Sequence, residues 1–141
     1  MKFWDASAVV PLLVSEPSSA SLLELLDRDP AMLVWWGTPI ECTSAVARRE
    51  RENALTVANA TACIARLRVL ATAWHEVLPV EPVRGVALRL LRVHTLRTAD
   101  SLQLAAAIVA SEHQPTTLEF VSLDQQLNDA ASREGFAVHP A

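Results

Sequence analysis

Short, mainly apolar runs alternate along this chain with longer segments in which apolar residues recur at helical spacing. The short runs are Lys2 to Trp4, Met32 to Trp36, Val77 to Val80, Leu118 to Val121 and Phe136 to Val138. Runs of this length, bounded by turn residues, predict short extended segments, of which Met32 to Trp36 is the clearest buried strand. Strands that alternate with helices predict an α/β fold, with a central, mostly parallel sheet of about four or five short strands flanked by helices.

The longer segments predict helices over 6–14, 17–29, 38–53, 57–73, 83–93 and 98–111. Two helix starts have the form of a capping box, in which two side chains three positions apart satisfy free backbone N–H groups. One is Thr38-Pro39-Ile40-Glu41, and the other is Ser122-Leu123-Asp124-Gln125, which predicts a last helix after it. The helix from Thr98 is apolar nearly all round, which predicts that it is buried at the centre of the molecule.

No Gly/Ser linker, repeat or low-complexity tract divides the 141 residues, so we expect one domain over residues 1–141. Hydrophobic residues make up 51% of the chain and charged residues 20%, as in a compact globular domain. Cys42 and Cys63 lack the spacing of zinc ligands and are expected to be free, buried thiols. With no signal-peptide pattern and no apolar stretch of the ~20 residues that a membrane span needs, we expect a cytoplasmic protein without membrane association.

The charge of the chain gives little support to a nucleic-acid function. The net charge is −4, so the broad basic surface that many nucleic-acid binders carry is missing. The cations are eleven arginines and the single lysine Lys2. Arginine matches the geometry of phosphate better than lysine does, but codon bias in a high-GC genome explains the same excess. Composition alone therefore argues mildly against nucleic-acid binding.

Four acidic residues follow predicted strands or begin predicted helices. Asp5 directly follows the first strand, Glu41 lies in the first turn after the second, and Asp124 follows the Leu118 to Val121 strand. Asp100 begins the buried helix. Because ligands bind at the carboxyl ends of parallel strands, we expect the four acids at or near that edge. Each acid alone is also explained as a helix cap or as a first-turn acid that the helix dipole favours.

Four carboxylates in one pocket would repel one another and raise each other's pKa unless a cation lies among them. A ligand set made of oxygen atoms suits Mg²⁺ or Mn²⁺. Such a site activates water and neutralises charge that develops on a phosphate group. Phosphodiester hydrolysis is therefore the reaction that the acids predict.

Competing α/β enzyme classes lack their key residues in this chain. A P-loop needs clustered glycines beside a lysine, and the three glycines here are isolated. A receiver domain needs a late lysine, and a haloacid-dehalogenase-like phosphatase needs an aspartate at the position of Ser7. No G-x-S-x-G turn supports a serine hydrolase. The histidines lack ligand spacing and are expected on the surface; they are His75, His94, His113 and His139.

Taken in order, four segments of the chain resemble PIN-domain ribonucleases, particularly the VapC-type toxins of bacterial toxin–antitoxin pairs. The segments are 3–8 (FWDASA), 41–45 (ECTSA), 96–105 (LRTADSLQLA) and 120–124 (FVSLD). The most specific is R-x-x-D-x-x-x-x-A, from Arg97 to Ala105. The resemblance implies a PIN-like domain, endoribonuclease activity that depends on Mg²⁺ or Mn²⁺, an RNA substrate and a homodimer. It also implies a cognate antitoxin that inserts a basic side chain into the acidic pocket.

Position by position, Asp5, Glu41 and Asp100 match the three acids that hold the metal in this family. Asp124 matches a fourth, more variable acid. All four are therefore the expected catalytic and metal-binding residues. Five further residues are candidates for support or substrate binding, namely Ser7, Ser44, Arg48, Arg97 and Ser122.

These supporting candidates have alternative structural roles. Ser7 and Ser122 match hydroxyl residues near the metal that could orient its waters, but either could also cap a helix. Arg48 and Arg97 could contact RNA phosphate or anchor carboxylates by bidentate pairing.

Two alternatives to a toxin stay open: a PIN nuclease that processes RNA without being a toxin, and a catalytically silent binding module of the same fold.

Overall fold

A five-stranded parallel sheet runs through the centre of this computed structural model, which describes residues 1–140. Its strands are β1 (Lys2–Trp4), β2 (Met32–Trp35), β3 (His75–Val77), β4 (Glu119–Val121) and β5 (Ala137–His139). They lie in the order β3-β2-β1-β4-β5, and each neighbouring pair is parallel. The α/β fold with a parallel sheet that the sequence predicts is confirmed.

Within residues 1–140, seven α-helices connect or follow these strands. They are α1 (Ala6–Leu13), α2 (Ser19–Arg28), α3 (Thr38–Arg51), α4 (Val57–Ala71), α5 (Glu81–Val93), α6 (Thr98–Ala110) and α7 (Gln125–Glu134). A 3-10 turn at Pro115–Thr117 precedes β4. No helix in this part of the chain is both long and apolar enough to cross a membrane.

Separate clusters of buried side chains cover the two faces of the sheet. Because adjacent residues of a strand point to opposite faces, Trp4 packs with side chains from α1 to α4, and Phe3 packs with side chains from α5 to α7. Phe3 also stacks on Phe120 of β4, with ring centroids 5.4 Å apart. In α6 each side chain from Leu104 to Ile108 is buried, as its apolar sequence predicts. The central strand β1, which leads into Asp5, is therefore held from both sides.

The two cysteines lie as the sequence predicts, and two adjacent tryptophans differ in exposure. Cys42 and Cys63 are free and buried. Trp35 is buried and Trp36 is 46% exposed, in keeping with the alternation of side chains along a strand. Only Trp36 of this pair remains available to a base or to another partner.

The third strand lies two residues earlier than the sequence predicts. The run Val77 to Val80 was expected to be extended, but β3 ends at Val77. Pro79 has no N–H to donate to a sheet, and the N–H of Val80 turns back to the carbonyl of Leu78 at 2.8 Å. Leu78 and Val80 are exposed, so the apolar residues that suggested a buried strand lie instead in the loop before α5.

One histidine departs from the expected surface location. The side chain of His94 is only 6% exposed, and its Nε2 lies 2.7 Å from Oε2 of Glu134. His94 directly follows α5 and Glu134 is the last residue of α7, so this contact joins the ends of two helices on one face of the sheet. The partner of His94 is therefore Glu134, which is not one of the four acids identified in the sequence.

The capping box predicted at Thr38 is wrong. Helix α3 begins at Thr38 itself, because Gly37 before it already adopts helical backbone angles and acts as the cap residue. The Thr38 side chain is wholly buried and accepts a hydrogen bond from Gln103 at 3.1 Å. Glu41 is likewise bound to Gln103 rather than to the backbone at the helix start. The Glu41 carboxylate is therefore not used as a cap.

The capping box predicted at Ser122 is also wrong. Asp124 is the N-cap of α7, and its Oδ1 accepts a hydrogen bond from the N–H of Leu127 at 3.0 Å. The Ser122 hydroxyl points instead to Oδ2 of Asp5, 3.0 Å away. Helix α7 therefore has its N-cap two residues later than predicted, and Ser122 is bound to Asp5 instead of capping the helix.

Candidate active site

Four carboxylates from four separate segments line one cavity of about 280 Å³. Asp5 follows β1, Glu41 lies in the first turn of α3 after β2, and Asp124 caps α7 after β4. Asp100 lies in the first turn of the buried helix α6. Since β2, β1 and β4 are parallel neighbours, their carboxyl ends lie side by side and bring three of these acids together.

Asp5 is the most deeply buried of the four. Asp5 is only 4% exposed. Its Oδ2 accepts hydrogen bonds from the hydroxyl groups of Ser7, at 2.5 Å, and Ser122, at 3.0 Å. The N–H of Ser7 also donates to it, at 3.2 Å, so Asp5 caps α1. Burial raises the pKa of Asp5 to about 6, the serine hydrogen bonds oppose this, and the charge of Asp100 adds to it.

Glu41 is held from behind by a side chain of another helix. Its Oε2 accepts a hydrogen bond of 2.5 Å from Nε2 of Gln103 in α6. Burial raises the pKa of Glu41 to about 7, the bond from Gln103 opposes the rise, and the charges of Asp5 and Asp100 add to it. Part of Glu41 is therefore protonated near neutral pH when no cation is bound.

Asp100 and Asp124 share one cationic neighbour, Arg97. Nε of Arg97 lies 3.5 Å from Oδ2 of Asp100, and its Nη2 lies 3.9 Å from Oδ2 of Asp124. Burial and then the charge of Asp124 raise the pKa of Asp100, while Arg97 opposes that rise. The Arg97 side chain is 82% exposed, so it screens these two acids from the rim of the cavity without filling it.

The donor set fits a hard divalent cation. The four side chains offer oxygen atoms only, and three of them have raised pKa values because they are buried close to one another. No three acidic, histidine or cysteine side chains in residues 1–140 are arranged tightly enough to enclose an ion by themselves. Mg²⁺ commonly keeps several of its waters and uses only one or two carboxylates directly, so an open arrangement is compatible with it.

The other predicted residues surround this cavity at different distances. Ser7, Arg48 and Arg97 line it together with the acids, and Ser122 lies beneath it as a donor to Asp5. Ser44 lies in an adjoining groove of about 440 Å³, whose lining includes Glu41, Arg48, Arg97 and Asp100. The groove therefore continues from the acidic cavity along the exposed side of α3.

Several residues of the cavity were missed by sequence reasoning. Glu16 and Arg49 line it as an ion pair, with Nη2 of Arg49 2.8 Å from Oε1 of Glu16, and nothing local in the sequence marks them. Gln103 does have a signal, because it is a polar residue within an apolar helix, three positions after Asp100. That spacing places both residues on the same side of a helix.

No protein-family model matches this chain, and no curated protein matches it in sequence. Solved structures do match it in fold. A toxin–antitoxin complex from Klebsiella pneumoniae has 13% identity and a TM-score of 0.63, over 89% of this chain and 88% of that chain. FitAcB from Neisseria gonorrhoeae has 19% identity and a TM-score of 0.68, over 98% of this chain and 96% of that chain.

A third solved structure, FitAB bound to an IR36 DNA fragment, gives nearly the same values. Its identity is 18% and its TM-score 0.67, over 98% of this chain and 93% of that chain. At these identities the likeness establishes a shared fold. It extends over nearly the whole chain, as does the resemblance to PIN-domain proteins in the sequence.

Proposed function

We propose that this chain is an endoribonuclease of the PIN-domain, VapC type that depends on Mg²⁺ or Mn²⁺ and acts as the toxin of a toxin–antitoxin pair. One observation carries the proposal: Asp5, Glu41, Asp100 and Asp124 come from separate parts of the chain and line one cavity. Carboxylates buried together in this way are unfavourable without a cation, as the raised pKa values of the first three show.

In this proposal Asp5, Glu41 and Asp100 hold the cation, and Asp124 assists from the edge of α7. A divalent cation there would lower the pKa of bound water and neutralise charge on the phosphate during hydrolysis. Ser7 and Ser122 fix Oδ2 of Asp5, while Oδ1 accepts no hydrogen bond from any side chain in the described range. One oxygen of Asp5 is thus anchored, and the other is available to a ligand.

The groove beside the acids supports RNA as the proposed substrate. Arg48 and Arg97 line both the cavity and the groove, and both are exposed. Guanidinium groups bind phosphate oxygens in a forked geometry. A single RNA strand lying along α3 would place a phosphodiester next to the acids while these two arginines contact its neighbouring phosphates.

The toxin role rests on the fold. The matching protein from Klebsiella pneumoniae is described as a toxin–antitoxin complex, and its fold covers most of this chain. We therefore expect a cognate antitoxin that inserts a basic side chain into the acidic cavity, and a homodimer as in the family. A basic group would interact favourably with the carboxylates of the cavity through charge-assisted hydrogen bonds.

The test is incubation of purified, antitoxin-free protein with total RNA, with Mn²⁺, with Mg²⁺ and after exhaustive EDTA treatment. We expect cleavage only with a divalent cation, and products with 5′-phosphate and 3′-hydroxyl ends, because water rather than the RNA 2′-hydroxyl is the nucleophile. Asp5→Asn is the inactive variant, and Asp27→Asn, which removes an exposed aspartate of α2, is the matched control.

The outcomes separate the proposal from its alternatives. Full activity after EDTA, or 2′,3′-cyclic phosphate ends, would place the protein in another nuclease class. Cation binding without cleavage of any RNA would indicate a silent binding module of the same fold. Cleavage without any effect on growth would indicate a nuclease that processes RNA.

A further inference from the structure

Gln103 is a wholly buried polar side chain directly behind one of the four acids. Its Nε2 lies 2.5 Å from Oε2 of Glu41 and 3.1 Å from Oγ1 of Thr38. Asp100 lies three residues earlier in the same helix. Helix α6 therefore brings one acid to the cavity and, one turn later, a hydrogen-bond donor to a second acid on another helix.

The orientation of the Gln103 amide follows from its acceptor. When Glu41 is ionised, as cation binding requires, its carboxylate only accepts hydrogen bonds, so the NH₂ group of the amide faces Glu41 in that state, as it does in the structure. The two hydrogens of this group serve Glu41 and Thr38, one each. The amide oxygen, by contrast, is buried and has no hydrogen-bond partner within the described residues.

An unpaired buried oxygen is unfavourable, and the helix around it is apolar. Leu104, Ala106 and Ala107 beside it are all buried. A methionine has nearly the same length and would fill this position without the unpaired oxygen. Packing therefore does not account for a glutamine here, whereas its bond to Glu41 does.

We propose that Gln103 is a positioning residue that fixes the Glu41 carboxylate for cation binding, an inference that rests on the proposed function. Gln103 ties back Oε2, while Oε1 accepts no hydrogen bond from any side chain in residues 1–140. Both oxygens belong to one planar carboxylate, so the hydrogen bond that restrains Oε2 also restrains the position of Oε1. A glutamate has several rotatable bonds, and restraining them before a ligand arrives avoids an entropic cost on binding.

The test compares Mn²⁺ binding and thermal stability in the full chain. Gln103→Met removes the donor to Glu41 at nearly constant length. Thr38→Val is the matched control, because it removes the other acceptor of the same amide at nearly constant volume. Mn²⁺ affinity is measured from the electron paramagnetic resonance signal of free Mn²⁺, and Tm is measured without metal.

We expect Gln103→Met to weaken Mn²⁺ binding by about 10- to 100-fold, as is typical when a partner of a metal ligand is lost. Its metal-free Tm should stay within about 3 °C of the parent value. Thr38→Val should bind Mn²⁺ nearly as the parent does. High Mn²⁺ should restore RNA cleavage by Gln103→Met, because no ligand of the cation has been removed.

A double-mutant cycle tests whether Gln103 acts through Glu41. In the Glu41→Gln background the ligand that Gln103 positions is already lost. Adding Gln103→Met to Glu41→Gln should therefore cause no further loss of Mn²⁺ affinity. An equal loss in both backgrounds would show that Gln103 acts by another route and would overturn the inference.

The failure of this inference differs from failure of the proposed function. A parent protein that binds no Mn²⁺ would contradict the proposed function and this inference together. A parent that binds Mn²⁺, with Gln103→Met binding it equally well, would overturn the role of Gln103 alone. So would a parallel loss of Mn²⁺ affinity and Tm in both Gln103→Met and Thr38→Val, which would indicate a role in folding only.

Discussion

At the scale of single residues, the four acids differ in how the protein holds them. Asp5 accepts hydrogen bonds from two serine hydroxyls and also caps α1, and Glu41 accepts a hydrogen bond from a glutamine. Asp124 is bound to the backbone of its own helix as a cap. Side-chain hydrogen bonds restrain the carboxylates of Asp5 and Glu41, whereas Asp124 is restrained through the helix start that it caps.

This difference predicts separate effects of the amide variants. Asp5→Asn, Glu41→Gln and Asp100→Asn each remove a charged ligand at nearly constant volume and should abolish RNA cleavage with the fold intact. Asp124→Asn should keep measurable activity that higher Mn²⁺ partly restores. Asparagine caps a helix about as well as aspartate, so at pH 5, where Asp5 is mostly protonated, the Tm should change little at positions 5 and 124. Cleavage rate and Tm are measured together on all four.

One combination of Tm and cleavage rate in these four variants would contradict the metal-binding role of the acids. If all four melted at lower temperature but cleaved RNA at the parental rate, the acids would be structural caps only. Removing an acidic charge near a helix start lowers the free energy of unfolding by only about 0.3 to 1 kcal/mol, so unfolding is not the expected cause of inactivity.

The raised pKa values predict how stability without metal depends on pH. In the unfolded chain Asp5 and Glu41 have ordinary pKa values near 4, whereas in the folded chain these are about 6 and about 7. Between these values the folded protein binds more protons than the unfolded protein, so stability falls as pH rises. Their contribution is fully present below about pH 4 and is lost as pH passes through 6 to 7.

We therefore expect EDTA-treated protein to have a higher Tm at pH 5 than at pH 7.5. Histidines also change charge in this range, so the comparison is made with the Asp5→Asn, Glu41→Gln double variant, which keeps all of them. The double variant should show a smaller dependence on pH than the parent. The same dependence in both proteins, followed by circular dichroism, would contradict the assignment of the shift to these two acids.

Among single residues, the sequence predicted that the four acids lie near one another and named Ser7 and Ser122 beside them, but it did not predict the contacts of Glu41 with Gln103 or of Glu16 with Arg49. The acids could be found because their positions after strands and at helix starts are local features of the chain. The bond between Gln103 and Glu41 joins residues 62 positions apart, and the pair of Glu16 and Arg49 joins residues 33 positions apart. Such contacts depend on how helices pack, which no short segment specifies.

At the scale of elements, the start of α3 determines where Glu41 lies. Gly37 comes directly before this helix, and a Cβ atom added there would lie 2.6 Å from Nε1 of Trp35. Trp35 is buried, so its ring has little room to move away. The absence of a side chain at position 37 thus allows β2 to turn immediately into α3.

This geometry predicts opposite effects for two identical substitutions. Gly37→Ala should reduce the free energy of unfolding by about 1 to 3 kcal/mol, as overpacking does, and should also lower cleavage by displacing Glu41. Gly85→Ala is the matched control, because Gly85 lies in the exposed interior of α5 with no atom within 4 Å of an added Cβ. It should increase the free energy of unfolding by about 0.5 to 1 kcal/mol.

Urea unfolding of both variants gives these free energies. A Gly37→Ala protein as stable and as active as the parent would mean that the Trp35 ring moves aside freely. In that case the position of Glu41 would not depend on the close contact at Gly37.

The limits of sequence prediction for elements are visible at their boundaries. The short apolar runs located all five strands. The run at β3 was placed two residues late, because the exposed Leu78 and Val80 extend it beyond the end of the strand. Both capping boxes were assigned to the first hydroxyl residue, Thr38 or Ser122. In each case that hydroxyl is directed to a buried side chain from elsewhere in the chain. Tertiary contacts decide between such local alternatives.

At the scale of the whole molecule, the parallel sheet explains why acids so distant in sequence meet. The strand order β3-β2-β1-β4-β5 places β1 between the strands that lead to Glu41 and Asp124. Every strand points the same way, so these side chains lie at a common edge. The net charge of −4 is compatible with the proposed nuclease function, because in that proposal only Arg48 and Arg97 beside the groove would contact phosphate, and no broad basic surface is needed.

The proposed toxin role predicts that production of this chain alone arrests bacterial growth. The reason is catalytic amplification, since an enzyme of median turnover acts about 10 times per second and few copies suffice to inactivate an essential RNA. Growth is followed after induction of the parent, of the inactive Asp5→Asn variant and of the Asp27→Asn control. Arrest is expected with the parent and with Asp27→Asn, and not with Asp5→Asn. Co-expression of a small protein encoded beside this chain should relieve it by covering the acidic cavity. Harmless high-level production of a protein that cleaves RNA in vitro would instead indicate a housekeeping role in RNA processing, with the fold and the site unchanged.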